Sequence, residues 1–142
     1  MPALEHTERD LFIDGERVNA SNGASFTTVN PATGDEIAEV AAATTDDVDS
    51  AVAAARDSLP AWRSMSPAKR GRIAHDVADR IRTQLDDLAA IESRDQGKPL
   101  AQARDDVQSA ARYFEYYAGA ADKLEGEHIP SEEESLTLTT RE

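Results

Sequence analysis

Apolar positions in this chain follow two periods, a short one first and a helical one after it. Leu11-Phe12-Ile13 and Glu16-Arg17-Val18 flank Asp14-Gly15. Asp-Gly between strand formers predicts a two-residue hairpin, because both turn positions need positive φ. "NASNGAS" reads as a loop and the β-branched "FTTVN" as a further strand, ended by Pro31; "PATG" then turns the chain into the strand-like "EIAEV".

From there the pattern predicts three helices. In the first, Thr44 or Thr45 caps, and Asp46 and Asp47 face the positive end of the dipole. Val48, Ala51, Val52, Ala55 and Leu59 form its apolar face, and Pro60 ends it. In the second, Ser66 is the N-cap and Pro67 the first helical residue; Ile73, Val77, Ile81, Leu85 and Leu88 step by four and three, and Gly97 closes it. The third opens at Pro99 and presents Leu100, Ala103, Val107, Ala110, Phe114, Tyr117 and Ala121. "EGEHIPSEEES" reads as an acidic loop, "SLTLTT" as a half-buried strand, and residues 1–10 as a flexible arm. No long β run lies under the helix faces, and no partner strand follows the last strand before Glu142. Both features point to a piece of a larger fold.

Composition changes this picture in one direction. Asp and Glu number 28 against 15 Lys and Arg, a formal net charge of -13, and the only lysines are Lys69, Lys98 and Lys123. Such a surface excludes nucleic acid as a partner, since binding phosphates needs positive charge. Disorder is excluded as well, because 39% of residues are hydrophobic and fall in helical register. Excess carboxylate with scarce lysine suggests adaptation to high salt and a halophilic source, where screening shortens self-repulsion. No apolar run approaches the length of a membrane span, and "MPALEHTERD" is unlike a secretory leader, so a cytoplasmic location is expected. The chain has no cysteine, which removes thiolate chemistry from these residues.

Little else in the chain suggests chemistry. His6, His75 and His128 lack ligand spacing. Lys98, in "DQGKP", reads as structural in an exposed loop, because a nucleophilic lysine needs burial to depress its pKa. Tyr113, Phe114, Tyr116 and Tyr117 stand at helical spacing and read as core or subunit contact rather than base-stacking groups, Trp62 reads as packing, and Glu132–Glu134 as a solvated loop.

Taken in order, "LFIDGERV", "FTTVNPATGDEIAEV", "DVDSAVAAARDSLPAW", "ESRDQGKPLAQA", "YFEYYAGAADKLEGEHIP" and "LTLTTRE" resemble the N-terminal part of the aldehyde dehydrogenase superfamily, from about Leu11 to Glu142. The resemblance implies an α/β fold: short β-hairpins and three amphipathic helices of a Rossmann-like cofactor domain over residues 11–134, then the start of an oligomerisation strand at 135–142. It implies an NAD(P)-dependent enzyme that oxidises an aldehyde to a carboxylic acid, assembled as a dimer or tetramer. The family's cysteine nucleophile, glutamate base, oxyanion-hole asparagine and nucleotide loop come later in its sequence, so this segment is expected to bind neither NAD nor NADP and to be inactive alone. Its partner would be the remainder of the subunit. The alternative is a non-catalytic relic, or an interaction protein pairing with a full-length paralogue. Thr28, Val29 and Asp95 match positions that line a monovalent-cation site in some members, which implies possible K⁺ or Na⁺ binding; the competing role for Asp95 is to hydrogen-bond the turn before Gly97.

Overall fold

The computed structural model describes residues 10–130 and 135–140. Most of the predicted arm, the Glu132–Glu134 run, and Arg141 and Glu142 lie outside the described residues. Strands β1 (Leu11–Ile13) and β2 (Glu16–Val18) form the Asp-Gly hairpin, pairing Leu11 with Val18 and Ile13 with Glu16. Asp14 (φ 54°) and Gly15 (φ 81°) both take the positive values that this two-residue turn demands. Strands β3 (Ser25–Val29) and β4 (Glu36–Ala41) pair antiparallel across the Pro31 turn. Their register slips between Thr28, opposite Ala38, and Val29, opposite Glu36, leaving Ile37 as an extra residue on β4.

Among the described residues four helices form where periodicity predicts three. Helix α1 (Thr45–Ser64) starts from a capping box built by Thr44 and Asp47 and runs through Pro60 instead of ending there. Proline removes one N–H and crowds the preceding turn. Here Pro60 is exposed and only Ala61–Ser64 follow it, so little helix depends on the missing bond. The predicted second helix is two: α2 (Pro67–Thr83), capped by Ser66, and α3 (Leu85–Gln96), separated at Gln84 (φ -107°, ψ 15°). The Thr83 hydroxyl donates to the carbonyls of Asp79 and Arg80, a local bond that competes with helix continuation. The break lets α2 and α3 both pack on α4 (Leu100–Ala120). Beyond α4, the terminal strand does have a partner, upstream of it. Strand β5 (His128–Ile129), inside the stretch read as an acidic loop, pairs with β6 (Thr137–Leu138).

The core is made of small residues. Ala78, Ala89, Ala103 and Ala111 are completely buried, and Val107 nearly so; Ile81, Leu85, Leu88 and Leu100 flank Ala89, Ala103 and Val107. Helix α4 therefore presents Ala103, Val107 and Ala111 inward, while Ala110, Phe114 and Tyr117 of the predicted face lie exposed. Its C-terminal half meets α2 closely: a Cβ added at Gly71 would stand 2.7 Å from the Ala118 carbonyl oxygen. Arg82 of α2 ties the same pair together by reaching Glu115 of α4. The face of α1 has no comparable cover, with Val48, Val52, Leu59 and the following Trp62 all exposed. Among the described residues the strands make three separate two-stranded ribbons.

Candidate functional site

Gly97 is one of the places where the β and α parts meet. It ends α3 in the left-handed region (φ 75°), its N–H donating to the Ser93 carbonyl, and a Cβ there would stand 2.8 Å from Pro31 Cγ. The β3–β4 turn thus lies against the α3–α4 corner. This contact links the turn that follows β3 to the residue that closes α3; Thr28 is half-buried beside the register slip, Val29 is half-exposed, and Asp95 is exposed in the last turn of α3. Ser93, not Asp95, makes the turn's side-chain bond, its Oγ donating to the Lys98 carbonyl at 2.7 Å. Among the described residues no three His, Asp or Glu side chains converge as a metal cage. One carboxylate with hydroxyl and carbonyl oxygens is a donor set suited to a monovalent cation rather than a divalent one.

Lys98 departs from its sequence reading in environment but not in role. Its side chain is only 20% exposed, and Nζ donates to Asp106 of α4 at 2.8 Å and to Glu92 of α3 at 2.5 Å. The Asp106 hydrogen bond first, and then that to Glu92, raise the Lys98 pKa above its ordinary value. A lysine held charged in this way is no nucleophile or base; it clasps two helices. The spacings to Glu92 and Asp106, six and eight residues, match no helical i,i+4 pair, so only the α3–α4 corner reveals the clasp.

Asp47 does more than face the helix dipole. Only 8% exposed, its carboxylate accepts from the Thr44 N–H (2.8 Å), the Thr44 hydroxyl (2.9 Å) and the Ser21 N–H (3.2 Å). It thereby fastens the loop before β3 to the start of α1. The Thr44 N–H foremost, with Ser21 assisting and burial opposing, holds the Asp47 carboxyl below its ordinary value of 3.8. A depressed carboxylate stabilises the fold above its unfolded value, and that contribution is lost as pH falls through the folded one. Acidification below 3.8 is therefore expected to release the Ser21 and Thr44 amides together, and Asp47→Asn to abolish that step. Amide chemical shifts followed against pH check this; a Ser21 amide unmoved by acid would contradict it.

The remaining candidates do not converge. His75 lies 3.4 Å from Asp79 on an exposed face of α2, His128 is exposed in β5, and His6 is outside the described residues. Tyr113, Phe114, Tyr116 and Tyr117 are exposed, so they are not core within these residues, and Trp62 is likewise open.

No side chain decides the identity; the order of elements along the whole chain does. The model of the aldehyde dehydrogenase family matches residues 18–142. The chain belongs to the aldehyde dehydrogenase family. An aldehyde dehydrogenase from Aspergillus niger is 42% identical over 133 residues, 93% of this chain and 27% of the relative. The crystal structure of a putative aldehyde dehydrogenase from Burkholderia cenocepacia superposes with a TM-score of 0.89 at 45% identity, covering 94% of this chain and 28% of that one. The NAD⁺ complex of the Bacillus cereus aldehyde dehydrogenase gives 0.88 at 38% identity, covering 93% and 28%. The chain thus spans little more than a quarter of the length of these aldehyde dehydrogenases. No helix among the described residues is long and apolar enough to cross a membrane.

Proposed function

We propose that residues 1–142 serve as the N-terminal portion of a cytoplasmic, NAD(P)-dependent aldehyde dehydrogenase that oxidises an aldehyde to a carboxylic acid. The observation that carries this reading is the collinear family match over residues 18–142, with NAD⁺ bound in the Bacillus cereus relative. Residues 11–134 belong to the cofactor-binding domain on this reading, and 135–142 open the strand through which subunits of a homo-oligomer pair. The reaction proceeds by thiolate attack on the aldehyde, hydride transfer to the nicotinamide and hydrolysis of the thioester. These residues contain no cysteine, so their part is scaffolding: the Lys98 clasp joins α3 to α4, while the Gly97–Pro31 contact and the Asp47 fastening hold helices against the β segments. Purified residues 1–142 are expected to give no NADH from a panel of aldehydes and no NAD binding by calorimetry. NADH above the blank would overturn the scaffold assignment.

Two further parts of the reading share one experiment. The -13 charge supports adaptation to high salt, and the Gly97–Pro31 contact, two residues beyond both Val29 and Asp95, supports a K⁺ or Na⁺ site at Thr28, Val29 and Asp95 completed by residues outside this segment. Helix content is expected to rise between dilute buffer and molar KCl, NaCl or choline chloride alike, because screening acts regardless of the cation. In the segment joined to the rest of an aldehyde dehydrogenase subunit, K⁺ or Na⁺ should protect against heat more than choline does, and Asp95→Ala should erase that difference. Equal protection by all three salts before mutation would remove the cation site and leave the salt adaptation standing.

A further inference from the structure

We draw no further inference here: the strongest candidate, the exposed aromatic face of α4 where Ser109, Arg112, Tyr113, Tyr116 and Tyr117 line an open hollow of about 400 Å³, carries nothing because nothing in the structure shows what covers it.

Discussion

Expressed alone, residues 1–142 are expected to bind a hydrophobic dye strongly and to melt over a broad range instead of in one sharp step. A buried Leu, Ile or Val contributes roughly 1.5–3 kcal/mol only when something covers it. Here the buried hydrophobic positions among the described residues are six alanines and Val107, while Val48, Val52, Leu59, Phe114, Leu136 and Leu138 face outward. Ordering each residue still costs about 1–2 kcal/mol of conformational entropy. The α2–α4 and α3–α4 contacts should preserve some compact helical structure, and the outer edge of β6 offers a site for association. Circular dichroism, dye fluorescence and sedimentation together test this. A cooperative melt from a monomer that binds no dye would show that these residues are a self-sufficient domain.

Gly71→Leu is expected to be the most damaging single change within the helical part. Its new Cβ would meet a backbone oxygen, that of Ala118, at 2.7 Å, and backbone cannot swing aside as the tip of a side chain can. Helices α2 and α4 must separate along the seam that Ala78 and Ala111 fill, at a cost of about 1–3 kcal/mol for overpacking. Gly119→Ala is the matched control on α4, because a Cβ there meets nothing within 4 Å. It should be neutral or gain roughly 0.5–1 kcal/mol from helix propensity. The expected readouts for Gly71→Leu are faster proteolysis between α2 and α4 and a loss of helical signal. If both variants behave alike, the close approach of α2 to α4 is not what holds them together.

Local chemistry was legible in the sequence wherever one residue type has one physical answer. Asp14-Gly15 announced positive φ, Ser66-Pro67 announced a helix start, and Gly97 a left-handed stop; each stands where it was expected. The misreadings arose where the answer is tertiary. Neither glycine nor proline stands between Arg82 and Leu85, and the apolar steps run on through Ile81, Leu85 and Leu88, so the break at Gln84, where the Thr83 hydroxyl bonds backward, left no mark in the apolar pattern. On α4 the periodicity put Ala103 and Val107 inward, as they are, but it also put Ala110, Phe114 and Tyr117 there; close helix packing selected Ala111 instead and left the aromatics outward. Strand β5, two residues long, was too short for alternation to show. For the candidate cation site, the Gly97–Pro31 contact, between the turn after β3 and the end of α3, was not legible, because it joins residues 66 positions apart with no shared periodicity.

The clasp at Lys98 also sets how this segment meets electrophiles such as aldehydes. An aldehyde condenses with a lysine amine only through the neutral form, whose lone pair attacks the carbonyl to give a Schiff base. Asp106 and Glu92 raise the pKa of Lys98 and each accept one of its N–H bonds, so its neutral fraction at any working pH falls below that of an ordinary lysine. Lys123 is engaged too, donating to the Gly119 carbonyl and to Asp122. With only three lysines in the chain, the segment presents few amines for adventitious adducts, and the one joining α3 to α4 is chemically muted by the same two carboxylates that make it a fastener.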